Sequence, residues 1–159
     1  MSISILVQNT VEQPGRTAFI LSDYTDIVTD AELTSQRFDA PGKLTFSCIE
    51  KGRINIEIGS SVTLMAGTLP LFKGYIFTAE RNRFGETTYT AYDQLRYLKT
   101  NASYTFEAMT LGQMIVQIAA DFGLEIGKVE ETGYAFPCLM KEDESCLDII
   151  FEALSETII

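Results

Sequence analysis

Residues 87–123 read TTYTAYDQLRYLKTNASYTFEAMTLGQMIVQIAADFG, and the spacing of their apolar side chains changes once along this stretch. The residues up to Tyr92 form an aromatic and β-branched run of strand length. From Thr110 onward the apolar residues recur every three or four positions, which is typical of one face of an α-helix. The stretch therefore predicts a β-rich part of the chain joined to a part that contains helices.

The predicted helix has clear start and stop signals. Thr110 and Gln113 form a T-x-x-Q capping box, and Gly123 follows the last periodic residue as a helix terminator. The apolar face comprises Leu111, Met114, Ile115, Ile118, Ala119 and Phe122. We predict a helix that begins after Thr110 and ends at Gly123.

A second helix is predicted from Ser145, which opens an S-x-x-D box with Asp148. The acidic run Glu142–Glu144 precedes it and would complement the positive end of the helix dipole. The apolar face consists of Leu147, Ile150, Phe151 and Leu154. Between the two helices, the short apolar segment Ala135–Met140 is predicted to be a strand.

The first hundred residues carry several strand signals. Apolar or aromatic runs lie at Ser2–Gln8, Thr29–Phe38, Leu44–Ile49, Ser61–Met65, Leu71–Glu80 and Thr87–Tyr92. Pro41 and Gly42 make Asp39–Gly42 a turn between two of these runs, and Phe84–Glu86 is the predicted turn between the last two. This spacing of strands and turns predicts an antiparallel β-barrel or sandwich.

The predicted fold is mainly β with an α+β component. It comprises an antiparallel β-barrel or sandwich domain at 1–100 and a second, smaller domain with two helices at 101–159. The last helix runs into Ile158 and Ile159 without a glycine, proline or polar stop signal. We therefore expect the second domain to be incomplete at its C-terminal end.

The charge of the chain argues against nucleic-acid binding. Twelve Lys and Arg stand against 22 Asp and Glu, a net charge of −10. Residues 121–159 hold ten of the acids against only Lys128 and Lys141. Such a chain repels a phosphate backbone, so no sequence-specific nucleic-acid binding is expected. The N-terminus lacks a basic signal region and no apolar run approaches the ~20 residues of a membrane span, so we expect cytoplasmic folding without membrane insertion.

No catalytic, cofactor-binding or metal site is predicted. The chain has no His, which excludes His-dependent triads and His-bearing zinc sites. The acidic clusters are Asp23, Asp26 and Asp30, Glu130 and Glu131, and Glu142–Glu144. They lack calcium-loop spacing and a nucleophile beside them, so we interpret them as solvated faces and predict that the protein is not an enzyme.

The three cysteines and a group of aromatic residues are interpreted as structural. Cys48, Cys138 and Cys146 are odd in number, widely spaced and without a His partner, so we expect them to be reduced. The aromatic residues Tyr89, Tyr92, Tyr97, Tyr104 and Phe106 could form a stacking platform. Because the chain is acidic, core or interface positions are favoured for them.

Three blocks of sequence resemble the PBSX-type (XkdQ-like) phage tail hub family. The first is the "A-Y-D-x-L-x-Y-L" block at Ala91–Leu98, followed by the aromatic pair Tyr104 and Phe106. The second is the capped "T-x-x-x-I-I-x-x-I-A-x-D-F" helix, and the third is the "S-x-L-D-x-I-x-x-L" helix of the wider group. The motif residues are Tyr92, Asp93, Leu95, Tyr97, Leu98, Thr110, Ile115, Ile118, Asp121, Phe122, Ser145, Leu147 and Asp148. The wider group includes contractile-phage baseplate hubs, late control protein D and type VI secretion spike hub domains.

The resemblance implies a tail-tube-like barrel followed by a small α/β domain, in a structural hub that joins the tail tube to the central spike. It implies a homotrimer in the full-length protein, in contact with tail tube, spike and other baseplate proteins. It places the protein in the bacterial cytoplasm during assembly and then in a virion or phage-like tail particle, including a tail-like bacteriocin. Family members are usually about twice this length, so the closed ring depends on a second tube-like domain.

Two other functions stay open at this point. The acidic second segment could make the chain a small binding module for a cationic peptide or cell-wall amine. The carboxylate clusters could belong to a cell-wall hydrolase. Salt dependence distinguishes the first, because an electrostatic partner is released at high ionic strength, and a muralytic assay distinguishes the second.

Overall fold

The computed structural model describes residues 3–13, 16–36, 40–49 and 56–157. The chain forms two compact units, and the main division falls between Asp93 and Gln94. The boundary predicted from sequence, at residue 100, lies a few residues into the second unit. The predicted Asp39–Gly42 turn and the Ile158–Ile159 end lie partly or wholly outside the described residues.

The first unit is built on one seven-stranded sheet in which every neighbouring pair is antiparallel. The strands are β1 (Ile3–Gln13), β2 (Arg16–Asp23), β3 (Val28–Thr34), β4 (Lys43–Ile49), β5 (Ser61–Ala66), β6 (Leu69–Arg81) and β7 (Glu86–Tyr92). Their order across the sheet is β2-β1-β5-β6-β7-β4-β3. All but β2 correspond to predicted runs. Strand β2 was missed because its apolar residues Phe19, Ile20 and Leu21 are consecutive rather than alternating.

One face of this sheet carries the core. Burial alternates along β4, β5 and β7 with the period of two that a sheet with one buried face requires. Phe46 stacks on Tyr89 at 5.2 Å between ring centroids. The core comprises Ile5, Val7, Leu44, Phe46, Cys48, Val62, Leu64, Phe72, Ile76, Tyr89 and Ala91.

The predicted barrel is not closed within the described residues. Strands β2 and β3 lie at the two ends of the sheet, and no recorded pairing joins them. A barrel requires the first and last strands to share a hydrogen-bonded ladder. The sheet described here is therefore open, with two edge strands.

The second unit is α+β rather than α/β. It contains β8 (Asn101–Thr110), α1 (Leu111–Asp121), β9 (Ala135–Ser145) and α2 (Cys146–Thr157). Strands β8 and β9 pair antiparallel, whereas an α/β domain has parallel strands. Strand β8 was not predicted, and β9 extends past Met140, so the acidic run Glu142–Glu144 belongs to the strand.

Both helices begin at the predicted caps. Thr110 Oγ1 accepts from Gln113 N at 3.3 Å, and Gln113 Oε1 accepts from Thr110 N at 2.9 Å. Helix α1 ends at Asp121 with Phe122 as its C-cap, and Gly123 follows with φ of 63°. Ser145 Oγ accepts from Asp148 N at 3.3 Å at the start of α2. The core of this unit consists of Leu98, Phe106, Leu111, Met114, Ile118, Phe136, Cys146, Leu147, Ile149 and Ala153.

Neither of the two α-helices in the described part of the chain has the length and hydropathy of a membrane span.

Candidate interaction surfaces

The motif residue Asp93 fastens the end of β7 to the start of β4. Its Oδ2 accepts from Gly42 N at 2.8 Å, and its own N–H donates to Gly42 O at 3.1 Å. Lys43 and Tyr92 are directly paired next to this contact. The carboxylate and the backbone N–H of Asp93 therefore form hydrogen bonds with both the N–H and the C=O group of Gly42.

We expect Asp93→Ala to lower the free energy of unfolding of the first unit by about 1–2 kcal/mol, because Gly42 N loses a charged acceptor in a half-buried site. Asp93→Asn keeps an oxygen acceptor and should lose less. Urea unfolding, monitored by hydrogen exchange of the amides in β4 and β7, measures the free energy of unfolding of both variants. Equal losses of stability in Asp93→Ala and Asp93→Asn would contradict this role of the acceptor oxygen.

The residues after Asp93 form a 3-10 helix, Gln94–Lys99, in which the motif residues differ in burial. Leu98 is buried in the core of the second unit. Leu95 and Tyr97 are 42% and 40% exposed. Leu98 is therefore a packing residue, whereas Leu95 and Tyr97 are partly exposed.

The helical motif residues are used for packing and capping. Ile118 and Leu147 are buried, and Ile115 and Phe122 pack against the same core. Thr110, Ser145 and Asp148 lie at helix starts, where the two hydroxyl groups accept from backbone N–H groups. The structure thus divides the motif between the core of the second unit, the helix caps, the Gly42 contact and partly exposed positions.

Asp121 has a specific partner across the second unit. Tyr104 Oη donates to Asp121 Oδ2 at 3.0 Å, and the Tyr104 ring stacks on Phe106 at 5.2 Å. Desolvation, together with the hydrogen bond and the negative charge of Asp121, raises the pKa of Tyr104 from 10.0 to about 12. The contact links β8 to the end of α1, which the sequence spacing alone did not indicate.

This pKa gives a prediction for alkaline solution. Because the folded-state pKa of Tyr104 is raised, the stability it contributes is complete below about pH 10 and is lost as the pH rises toward 12. We expect one tyrosine to ionise near pH 12 in an absorbance titration of the folded protein. Tyr104→Phe should remove that step and weaken the fall in stability over the same interval. An unchanged titration in Tyr104→Phe would refute the assignment.

The acidic residues make local contacts. Asp23 accepts from Thr25 N and Thr25 Oγ1, and these hydrogen bonds lower the pKa of Asp23. Lys141 forms ion pairs with Glu144 and Glu152 and so ties β9 to α2. No group of three or more potential metal ligands occurs within the described residues.

The three cysteines differ in burial. Cys48 and Cys146 are buried, and burial raises the pKa of each thiol, that of Cys48 to about 11. Cys138 is exposed on β9, the segment in which a short apolar strand was predicted. Cys138 is directly paired with Glu107 of β8, and both residues lie on the exposed face of the two-stranded sheet.

The strongest candidate surface is the edge strand β2. Phe19, Ile20 and Leu21 are consecutive and 65%, 52% and 62% exposed. Phe19 and Leu21 pair with Thr10 and Gln8 of β1 and share one face, and Ile20 lies on the other. An edge strand with free backbone groups and apolar side chains on both faces is a template for pairing with another chain.

The other edge strand, β3, is protected. Its residues Asp30 and Glu32 carry charge on an exposed edge, which discourages strand addition. Between Thr17 and Ser22, β2 has neither a charge nor a proline. The contrast identifies β2 as the edge that is suited to a partner.

A family model described as YQBQ-like matches residues 31–159, more than half of the chain. The chain belongs to the YQBQ-like family. The matched segment includes Asp93 and both helices and excludes β1 and β2. YqbQ of Bacillus subtilis (strain 168) is 30% identical over 143 residues, which cover 86% of this chain and 44% of YqbQ.

Two solved structures share the fold of this YQBQ-like chain. The 43 kDa tail protein of prophage MuSo2 from Shewanella oneidensis has a TM-score of 0.71 at 16% identity, covering 97% of this chain and 48% of that protein. The tail protein from Neisseria meningitidis MC58 has a TM-score of 0.70 at 12% identity, covering 96% and 46%. The chain therefore spans less than half the length of the relative and of both structures.

Proposed function

We propose that this chain is a structural element of a phage or phage-like tail, and specifically of the baseplate hub that joins the tail tube to the central spike. The observation that carries the proposal is the fold shared with two tail proteins over nearly the whole chain. The motif blocks at residues 91–98, 110–122 and 145–154 support the hub assignment. The role is assembly rather than catalysis.

The exposed β2 edge gives this role a physical basis. A strand from a neighbouring subunit that adds to β2 would satisfy its free backbone groups and cover Phe19, Ile20 and Leu21. Repeated around a closed axis, such a contact generates a ring without leaving open edges. A homotrimer with duplicated tube-like domains would complete the barrel arrangement that one open sheet lacks.

The proposal also names partners and a location. The tail tube protein would meet one side of the ring, and the central spike and other baseplate proteins the other. The protein would assemble in the cytoplasm of the bacterial host and then remain in the virion or tail particle.

Substitution at β2 tests the assembly role. We expect Phe19→Lys with Leu21→Lys to reduce the number of intact tails by about tenfold or more, because two buried apolar contacts become charges at an interface. Electron microscopy of particles from a host whose own copy is deleted and replaced by the variant counts the tails. Leu69→Lys, another exposed leucine, 58% exposed on the central strand β6, is the matched control. Normal tail numbers with the β2 variant would count against an interface at this edge.

A second candidate function is an acidic binding module, favoured by the net charge of −8 over residues 121–159. The two proposals differ in their response to salt. A cationic partner held by carboxylates should dissociate steeply as ionic strength rises, whereas a strand-addition contact should persist. Pull-down of tail proteins at low and high salt separates them.

A further inference from the structure

The hairpin between β6 and β7 holds an exposed aromatic side chain in a fixed loop. Asn82 Oδ1 accepts from Phe84 N at 2.9 Å and from Glu86 N at 3.1 Å, and Asn82 Nδ2 donates to Glu86 Oε2 at 3.0 Å. Gly85 supplies the positive φ of 81° that the turn needs. Phe84 is 78% exposed. Because the loop is already ordered, burying Phe84 against a partner would cost little further conformational entropy.

The second unit carries a groove beside helix α1 that could accept an aromatic ring. It has a volume of about 520 Å³. Met109, Gly112, Val116 and Ala120 provide its apolar surface, and Val116 is 47% exposed. Glu131 stands at the groove, with its carboxylate in the space where a side chain on Gly112 would project. The groove is thus apolar with one negative charge beside it.

The hairpin tip and the groove carry opposite charges. The guanidinium carbon of Arg83 lies 4.8 Å from the centroid of the Phe84 ring. Within the described residues the structure records no carboxylate partner for Arg83 and no cationic partner for Glu131. An aromatic ring with an adjacent cation therefore matches an apolar groove with an adjacent anion in apolar character and in charge.

We propose that Phe84 and Arg83 of one copy dock into the α1 groove of a second copy, with Arg83 paired to Glu131. Because the donor and acceptor surfaces differ, the contact is head-to-tail, the type that builds rings. This inference deepens the proposed tail role by naming a contact between copies, and it rests on that role for its place in a ring. It is independent of the β2 edge.

The first test measures self-association of the chain by sedimentation velocity at low salt, up to about 1 mM, the range of a weak contact. We expect reversible association, and a roughly tenfold larger dissociation constant for Phe84→Ala because the apolar anchor is lost. Ile58→Ala, which shortens another side chain that is 66% exposed, is the control and should leave association unchanged. A monomer at every concentration, or equal effects of both variants, would overturn the proposal.

A charge exchange tests the direction of the contact. Arg83→Glu alone and Glu131→Arg alone should each associate several-fold more weakly, because like charges then face each other. An equimolar mixture of the two variants should associate again, because each copy then meets the opposite charge on the other. The double variant Arg83→Glu, Glu131→Arg should also recover. If neither the mixture nor the double variant associates, Arg83 and Glu131 do not pair between copies.

The outcome can be separated from that of the proposed function. Suppose that Phe84→Ala and both charge variants associate normally, while Phe19→Lys with Leu21→Lys reduces the number of tails. The tail role then stands, and the proposed contact between the hairpin and the α1 groove is wrong. If the hairpin variants abolish association while the β2 variant assembles normally, the contact stands and the β2 interface is wrong.

Discussion

Replacement of Phe106 by alanine is expected to lower the free energy of unfolding of the second unit by about 3–5 kcal/mol. The Phe106 side chain is fully buried and packs among the residues contributed by β8, β9 and both helices. Its removal loses the transfer free energy of the ring and leaves a cavity that the surrounding side chains fill only in part. The stacked contact with Tyr104 is lost as well.

Phe84→Ala is the matched control, because the same atoms are removed from a side chain that is 78% exposed. We expect it to change stability by no more than about 0.5 kcal/mol. Urea unfolding read by hydrogen exchange in α1 and α2 reports on the second unit separately from the first. Similar losses for the two variants would mean that Phe106 does not organise this core.

Gly74→Ala should destabilise the first unit by about 3 kcal/mol. Gly74 lies on β6 opposite Val62, on the buried face of the sheet. A methyl group there would collide with the Tyr92 carbonyl oxygen and with the Phe72 ring. Because the carbonyl belongs to the backbone of the sheet, a rotamer change cannot relieve the contact, and the strands must separate.

Gly127→Ala is the control for this substitution, because no atom lies within 4 Å of the position that its new methyl group would occupy. We expect its unfolding free energy to stay within about 0.5 kcal/mol of the parent. Thermal unfolding and hydrogen exchange in β6 and β7 measure the difference. A Gly74→Ala variant as stable as the control would contradict the close approach of these strands.

The two variants also bear on the proposed role. Gly74→Ala disturbs the sheet whose edge is proposed to receive a neighbouring strand, whereas Phe106→Ala disturbs the unit that holds the α1 groove. If only Gly74→Ala reduces the number of tails, assembly depends on the sheet. If Gly74→Ala and Phe106→Ala each reduce the number of tails, assembly needs both units.

Local sequence signals predicted much of the secondary structure. Thr110 and Gln113 marked the start of α1, and Gly123 marked its end, because capping and termination depend on a few neighbouring residues. Apolar or aromatic runs separated by turn residues predicted β4, β5 and β7, again from neighbouring residues alone. Strand β2 was not predicted because its apolar residues are consecutive and do not alternate with polar ones. Such a run in an edge strand is itself a signal of an interface.

Features that depend on contacts between distant residues could not be predicted from the sequence. The strand order, the open sheet and the antiparallel pairing of β8 with β9 depend on contacts between residues far apart along the chain. The Asp93 contact with Gly42 and the Tyr104 contact with Asp121 join residues 51 and 17 positions apart. The motif resemblance marked Asp93 and Asp121 without giving either partner.

The central claim is that the chain is a component of the tail particle, and the most direct measurement is its copy number in purified tails. Quantitative mass spectrometry of purified tail particles, with labelling of the chain in electron micrographs, gives both number and position. We predict three copies per particle, at the end of the tail distal to the capsid. A protein that is present in the lysate but absent from purified tails would contradict the account.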